Sequence, residues 1–293
     1  MDVRALSQVA LAAAPLAAAL LFAWYHAAPR RRVVRLSSRP WNDSLALRAA
    51  RLIQSTPSLA PHPSARDPNQ LEVEECVARI LGNEWKGDAL APCNLRRTIS
   101  LISDLHSLRA ELGRQRKPVD ARDAAHLALL KQLWAAFYPS SPFSVRSEEW
   151  MRLGFQGSDP TTDFRGMGCL ALREIVHFSE VFREEALALA AGWAIEDNLE
   201  SGALPFAITA INASSWLWGL FMEGRLDRCF LVRGASLQTY RNLFCEMLCG
   251  FLRTWKSEAP GSIGEFQRVS SFYLTETRRR LEGNADHITN LYM

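Results

Sequence analysis

Apolar residues recur at helical spacing along most of this chain, and that periodicity limits the folds open to it. In the stretch VDARDAAHLALLKQLWAAFYP, residues 119–139, one helical face collects Leu127, Leu130, Trp134 and Phe137. Asp120 is the predicted N-cap of this helix, and Pro139 is the predicted stop. The sequence contains no run that alternates between apolar and polar residues as half-buried strands do. We therefore predict an all-α fold.

The same spacing predicts four further helices in the second half of the chain. They run from Arg165 to about Ala191 and over residues 204–223, 236–256 and 262–282. Ser262 and Glu265 form a predicted capping box at the start of the last one. The run FAITAINASSWLWGLFM contains polar residues and is short for a bilayer crossing, so we assign it to the protein core.

Upstream of residue 119 the pattern is more fragmented. The Pro- and Ser-rich stretch TPSLAPHPSARDPN is typical of a linker, and a longer helix follows Pro92 and ends at Lys117-Pro118. We divide the chain into an N-terminal segment, a linker with helices, one helical domain and a short tail: residues 1–39, 40–118, 119–285 and 286–293.

Charge is distributed unevenly between the N-terminus and the rest of the chain. The 293 residues carry a net charge of +3, from 34 basic and 31 acidic groups. Residues 1–39 hold six arginines and one aspartate, which leaves 28 basic and 30 acidic groups, or −2, for the remainder. A body with this balance has no general basic field, so we do not expect a nucleic-acid partner.

The N-terminal segment has the features of a signal anchor. Ala5 to Ala28 are uncharged, and a helix of that length just spans a hydrocarbon core of roughly 30 Å. Trp24 and Tyr25 lie at its end, where amphipathic rings favour the interface. Arginines at 30–32 follow at once, and the positive-inside rule places them in the cytosol. We expect a membrane-anchored protein whose domain faces the cytosol.

Two other targeting interpretations stay open for this segment. Its alanine content and the small residues near Ala28 also fit a cleaved secretory signal, although such signals usually have a more basic start. For the anchored protein, an endomembrane resembling the endoplasmic reticulum is the expected location, and the mitochondrial outer membrane is the alternative.

The six cysteines fit the cytosolic orientation. Cys245 and Cys249 are four residues apart within the helical stretch LFCEMLCGFL, and Cys76 lies in the apolar stripe of LEVEECVARIL. We interpret them as buried, reduced thiols. The sequence has no CxxC, HxxxH or HExxH motif, so it does not predict a metal site.

One stretch departs from the helical pattern: GFQGSDPTTDFRGMG, residues 154–168, which we call the arginine loop. Gly154, Gly157 and Pro160 break helices, and three adjacent residues are candidate N-caps: Thr161, Thr162 and Asp163. Phe164 is expected to be buried. Arg165 then falls in the first turn of the next predicted helix, where a cation opposes the helix dipole. Gly166 and Gly168 have no side chains, so they are expected to keep the surface around Arg165 low and to let another molecule approach closely.

These residues resemble the signature of the ELMO (engulfment and cell motility) domain. The stretch WMRLGFQGSDPTTDFRGMGCLALREIVHF matches it in one register at Trp150, Gly154, Phe155, Gln156, Pro160, Thr162, Asp163, Phe164, Arg165, Gly166, Gly168 and Leu172. Two later stretches, LPFAITAINASSWLWGLF and FCEMLCGFLRTWKSEAPGSIGEFQRVSSFY, resemble the downstream helices of that domain. The resemblance covers roughly residues 120–285, more than half of the chain.

The resemblance implies a compact all-α domain and a role in small-GTPase regulation. Compact members of this family act as GTPase-activating proteins for Arf-family and Arf-like GTPases, and the arginine that matches Arg165 is the one tied to activity. The resemblance thus implies that Arg165 acts as an arginine finger, with GTP and magnesium bound by the partner and no cofactor in this chain. The alternative is a membrane-anchored adaptor that binds a small GTPase or another partner without catalysis.

Supporting roles follow for the other motif residues, each with a structural alternative. Asp163 is placed to orient the guanidinium of Arg165, and the Gln156 side chain to position water or to hold the loop by hydrogen bonds to the backbone. A lysine in place of Arg165 does not reproduce the planar fork that binds phosphate oxygens. The structural alternative is that Arg165 pairs with an acid such as Asp159 or Asp163 and holds the loop together. The aromatic motif residues Trp150, Phe155 and Phe164 are expected in the core.

Overall fold

The computed structural model describes residues 90–194 and 202–283, which form nine α-helices and two 3₁₀ helices. Neither of these two ranges contains a strand, so the all-α prediction is confirmed for this part of the chain. The α-helices are α1 Leu90–Gln115, α2 Ala124–Phe137, α3 Glu148–Arg152, α4 Gly168–Val181, α5 Arg183–Trp193, α6 Phe206–Met222, α7 Asp227–Arg233, α8 Leu237–Glu258 and α9 Phe266–Gly283. The 3₁₀ helices are Pro160–Arg165 and Ile263–Glu265.

The predicted membrane anchor, the Pro-rich linker and the C-terminal tail lie outside the described residues. In the two described ranges, no helix combines the length and the apolar character needed to cross a membrane. Helix α6, which corresponds to the apolar run in 204–223, buries nine of its residues within the domain. Its assignment to the core is therefore confirmed.

Helix α4 lies at the centre of the core and contacts α2, α6 and α8. Five of its apolar residues are at most 1% exposed: Leu170, Ala171, Leu172, Ile175 and Phe178. Helix α6 contributes alanines 207, 210 and 213, which are fully buried and small enough to let neighbouring helices approach closely. The arginine loop therefore leads directly into the most deeply buried helix of the domain.

Helix α1 is attached to α7 and to the end of α6. Arg109 forms a short ion pair with Asp227 at the start of α7, and it also donates a hydrogen bond of 3.3 Å to the carbonyl of Phe221. The guanidinium carbon lies 5.0 Å from the centroid of the Phe221 ring. These contacts fix the second half of α1 against the domain.

Several predicted helix boundaries were wrong. Helix α2 is capped by Asp123, whose carboxylate accepts from the amides of Ala125 at 2.8 Å and His126 at 3.1 Å. Asp120, the predicted cap, instead accepts from the Arg122 amide in the preceding turn. Both aspartates have the capping chemistry, and the path of the chain after α1 selects the second. The buried face of α2 includes Leu133 and leaves Leu127 and Phe137 only partly buried.

The helix predicted from Arg165 to Ala191 is in fact three elements. The 3₁₀ helix ends at Arg165, α4 begins at Gly168, and α5 begins after a break at Phe182. The break contains no proline or glycine; the Phe182 ring stacks on Phe178 with centroids 5.2 Å apart. The sequence patterns also missed the short helices α3 and α7, because helices of five and seven residues are too short to show a period.

The predicted capping box before α9 is incomplete. The Ser262 side chain makes no capping hydrogen bond, and the Glu265 carboxylate accepts from the amide of Gly261 at 2.8 Å instead. A 3₁₀ turn at this point shifts the geometry that a capping box needs.

The prediction of reduced thiols is confirmed where the structure describes them. Cys169, Cys229 and Cys245 are buried and free, and Cys249 is free and half-buried. Burial raises the pKa of Cys249 to about 12, which disfavours the reactive thiolate. The side chains of Cys76 and Cys93 lie outside the described part of the chain.

Candidate functional site

A buried aromatic cluster anchors the arginine loop to the core of the domain. Trp150 and Phe164 are fully buried, and Phe155 is 5% exposed. The ring of Phe155 lies between the other two, 5.6 Å from each and edge-on to both. Trp150 also packs edge-on against Trp134 of α2 and donates from its indole to the carbonyl of Ser144. The prediction that the three motif aromatics belong to the core is confirmed.

The start of the loop forms the cap of α6. The carbonyls of Leu153 and Gly154 accept from the amides of Ala207 at 2.9 Å and Ile208 at 3.3 Å. Helix α6 has Pro205 as its N-cap and no capping side chain, so these carbonyls satisfy amides that would otherwise lack a partner. Gly154 has φ +88°, and a Cβ there would lie 2.6 Å from the Pro205 Cα. Only glycine fits this close approach.

Asp159 organises the middle of the loop, and it was not among the predicted N-caps. Its carboxylate accepts from the amide of Thr161 at 3.1 Å and from its hydroxyl at 2.6 Å, and so caps the 3₁₀ helix that begins with Pro160. Arg146 donates to the other oxygen at 3.2 Å. Partial burial by itself raises the pKa of Asp159, but these hydrogen bonds outweigh it and lower the pKa overall. Thr162 donates its hydroxyl to the Asp159 carbonyl.

Asp163 connects the two halves of the loop. Its carboxylate accepts from the backbone amide of Gln156 at 2.7 Å, seven residues earlier in the chain. Gln156 itself is exposed, so its backbone closes the loop while its side chain faces solvent. This bond uses the backbone amide of Gln156, whereas the expected loop-holding role belonged to its side chain, so that expectation stays a prediction. Asp163 acts as the acceptor in that bond, a role the sequence did not indicate.

Arg165 is the last residue of the 3₁₀ helix and not part of the first turn of α4. Gly166 and Met167 separate it from α4, so the prediction that Arg165 belongs to the first turn of that helix was wrong. Its neighbours differ sharply, because Phe164 is fully buried whereas Gly166 is exposed. The side chain of Arg165, and with it the predicted pairing with Asp159 or Asp163, lies outside the described part of the structure.

The two glycines after Arg165 have different roles. A Cβ on Gly166 would meet nothing within 4 Å, which fits the expected low surface. Gly168 is buried, with φ +60°, and a Cβ there would lie 2.1 Å from the carbonyl oxygen of Lys117. Its expected contribution to a low outer surface was wrong: Gly168 lets the end of α1 contact the start of α4.

Arg116 and Lys117, which directly follow α1, complete the site and lie outside the ELMO motif. Arg116 donates to the carbonyl of Gly166 at 3.0 Å, and its guanidinium carbon lies 5.0 Å from the ring centroid of Trp218. The carbonyl of Lys117 accepts from the amide of Cys169 at 2.9 Å. The sequence marked Lys117 only as a helix stop and did not mark Arg116, whose contact with Gly166 spans 50 residues and leaves no trace in local spacing.

A buried acid lies in α4 behind the loop. Glu174 is 1% exposed, and its carboxyl accepts a short hydrogen bond from the hydroxyl of Ser214 on α6. Burial raises its pKa to about 8, although Ser214 and the charge of Arg241 act in the opposite direction. Burial likewise raises the pKa of Tyr240, on α8, and the nearby Glu174 carboxylate adds to that rise. The sequence pattern placed Glu174 on a helix without indicating its burial.

Comparison with known proteins identifies the domain. The sequence model of the ELMO/CED-12 family matches residues 112–270, more than half of the chain. The chain is 32% identical over 191 residues to ELMO domain-containing protein B of Dictyostelium discoideum, a match that covers 64% of this chain and 66% of that protein.

Mammalian proteins show the same relationship. ELMO domain-containing protein 2 of Mus musculus is 28% identical over 223 residues, 73% of each chain. ELMO domain-containing protein 1 of Pongo abelii is 30% identical over 205 residues, which are 62% of this chain and 60% of that protein. The matched region contains the whole arginine loop and helices α2 to α8. The chain therefore belongs to the ELMO/CED-12 family.

Proposed function

We propose that this protein is a GTPase-activating protein for an Arf-family or Arf-like small GTPase, and that Arg165 supplies the arginine finger. Family membership and the intact Asp163-Phe164-Arg165-Gly166 sequence support the proposal. Hydrolysis of GTP spreads negative charge over the γ-phosphate oxygens in the transition state. A planar guanidinium donates to two such oxygens at once.

The backbone at Arg165 is the observation that carries this proposal. The preceding residue, Phe164, is fully buried, and the following residue, Gly166, is exposed with open space where a side chain would be. Asp163 on one side and Arg116 on the other hold the backbone by hydrogen bonds. A residue that acts on another protein needs a fixed backbone beside an accessible surface, since flexibility there weakens transition-state contacts.

The remaining chemistry belongs to the partner in this proposal. The GTPase binds GTP and magnesium and positions the attacking water, and this chain contributes no cofactor. Trp150, Phe155 and Phe164 support the loop from the core. Asp163 fixes the loop through Gln156, so its contribution to activity is indirect.

We also propose that the chain acts at a membrane. The uncharged segment from Ala5 to Ala28, followed by three arginines, supports an anchor with the ELMO domain in the cytosol. An endomembrane resembling the endoplasmic reticulum is the proposed location, and the mitochondrial outer membrane is the alternative. In cells with a permeabilised plasma membrane, protease should digest an epitope at the C-terminus while organelle lumens stay intact. Protection of that epitope would contradict the orientation.

Single-turnover GTP hydrolysis tests the catalytic proposal. The full chain, reconstituted in liposomes, is added to a panel of GTP-loaded Arf-family and Arf-like GTPases. An arginine finger is expected to raise the rate for at least one of them by about 10³- to 10⁵-fold. Arg165→Lys should remove most of this acceleration. Arg152→Lys serves as the matched control, because Arg152 is exposed and pairs with Glu149 in its own helix.

The outcomes separate catalysis from scaffolding. Circular dichroism and thermal unfolding first establish that both lysine variants are folded. If Arg165→Lys retains the acceleration, Arg165 is not the finger. If no GTPase is accelerated but one binds the wild-type chain and the Arg165→Lys variant equally, the adaptor function replaces the catalytic one.

A further inference from the structure

Arg116 has a contact pattern that the ELMO signature does not explain. It directly follows α1, lies on the surface, and donates to the carbonyl of Gly166, the residue next to Arg165. Apart from its two chain neighbours, nothing lies within 4 Å of where a Cβ would be on Gly166, so the surface on that side of the backbone is open. The hydrogen bond from Arg116 therefore constrains the Gly166 backbone on its exposed side, between buried Phe164 and buried Met167.

Arg116 is itself fixed before it reaches the loop. Its guanidinium lies over the ring of Trp218 with the central carbon 5.0 Å from the ring centroid, a distance typical of a cation–π contact. Trp218 belongs to α6, and the edge of the same ring lies 3.8 Å from where a Cβ would be on Gly113 in α1. The Trp218 ring therefore contacts the guanidinium of Arg116 and also packs beside α1 at Gly113.

Two more contacts join the end of α1 to the same side of the loop. The Lys117 carbonyl accepts from the amide of Cys169 at 2.9 Å, and Gly168 allows the two backbones to approach. Arg116 and Lys117 therefore hold the chain at Gly166, in the loop, and at Cys169, in the first turn of α4. On the other side of Arg165, Asp163 and buried Phe164 hold the chain.

We infer that Arg116 is a positioning residue for Arg165, which fixes the Arg165–Gly166 backbone through the carbonyl of Gly166. The inference deepens the proposed function and rests on it for its effect on GTP hydrolysis. Without the bond from Arg116, the backbone after Phe164 samples more conformations, and Arg165 reaches its transition-state position in fewer of them. The expected consequence is a lower maximal rate with little change in binding of the GTPase.

Hydrogen–deuterium exchange tests the structural part independently of any GTPase. The full chain, its Arg116→Gln variant and its Arg114→Gln variant are compared by mass spectrometry of peptides that cover residues 164–169. Arg114 is exposed in the last turn of α1, so its replacement matches the change in charge. We expect exchange about tenfold faster in Arg116→Gln alone, with exchange in α4 and α8 unchanged. Equal exchange in the two variants would overturn the inference.

The GTPase assay tests the functional part. Arg116→Gln should lower the maximal single-turnover rate about tenfold while the GTPase concentration at half-saturation changes less than about twofold. In an Arg165→Ala background, Arg116→Gln should have no further effect, because a residue that acts only through Arg165 loses its role when Arg165 is gone.

Contrary results are distinguishable from one another. If Arg116→Gln also slows the residual reaction of Arg165→Ala, Arg116 contacts the partner directly and is not a positioning residue. If it weakens binding without lowering the maximal rate, Arg116 belongs to the docking surface. If the wild-type chain accelerates no GTPase, the proposed function fails, and the exchange experiment alone decides whether Arg116 fixes the loop.

Discussion

Replacement of Glu174 by glutamine should stabilise the protein, and the gain should grow with pH. Glu174 is fully enclosed between α4, α6 and α8, and burial raises its pKa from 4.5 to about 8. Among the described residues, one of its carboxyl oxygens has no hydrogen-bond partner. Glutamine has the same shape, still accepts from Ser214, and never ionises.

The direction in which stability changes with pH follows from proton linkage. When the pKa of an acid is raised on folding, the folded state resists ionisation, so stability is fully present below pH 4.5 and is lost as pH rises to about 8. At 1.36 kcal/mol per pKa unit, the difference corresponds to roughly 3 kcal/mol at pH 7 and about 5 kcal/mol above pH 8 as upper limits. Glu174→Gln removes this cost.

Urea unfolding at pH 4.5, 6, 7.5 and 9 measures the effect. The free energy of unfolding of Glu174→Gln minus that of wild type should rise across the series, with an unchanged slope against urea. Glu276→Gln is the control, because hydrogen bonds from Arg279 and Arg280 lower the pKa of Glu276 to about 2. That variant should be less stable than wild type at neutral pH. A difference for Glu174→Gln that stays constant from pH 4.5 to 9 would refute the argument.

Three other predictions, which use four substitutions, follow from the loop geometry. Gly168→Ala should destabilise the protein and Gly166→Ala should not. An added Cβ meets the backbone just after α1 in the first case and open space in the second. Thermal unfolding of the two variants, compared with wild type, tests this difference in stability. Phe164→Ala should cost roughly 3–5 kcal/mol by urea unfolding, as for other fully buried phenylalanines, and a cost below about 1 kcal/mol would contradict its place in the core. Asp163→Asn weakens the acceptor for the Gln156 amide, so tryptic cleavage after Arg165 should accelerate.

Local sequence patterns predicted much of the fold. Helical periodicity predicted the regions of α2, α4, α6, α8 and α9, since each of these helices buries one face at a spacing of three or four residues. The burial of Trp150, Phe155 and Phe164 was predictable as well, because phenylalanine is often fully buried and tryptophan is highly buried on average. Element boundaries were less accurate, as Asp120 and Asp123 illustrate.

The candidate site depended more strongly on long-range contacts. The sequence by itself determined that a Gly- and Asp-rich loop with a single arginine interrupts an all-α chain, because turn residues and helical periods act between near neighbours. Only the tertiary structure decided that Arg116 contacts Gly166, that Gly168 accommodates the Lys117 carbonyl, and that Glu174 is buried. Such contacts join residues many turns apart, and their energies depend on how whole helices pack, so no local spacing encodes them.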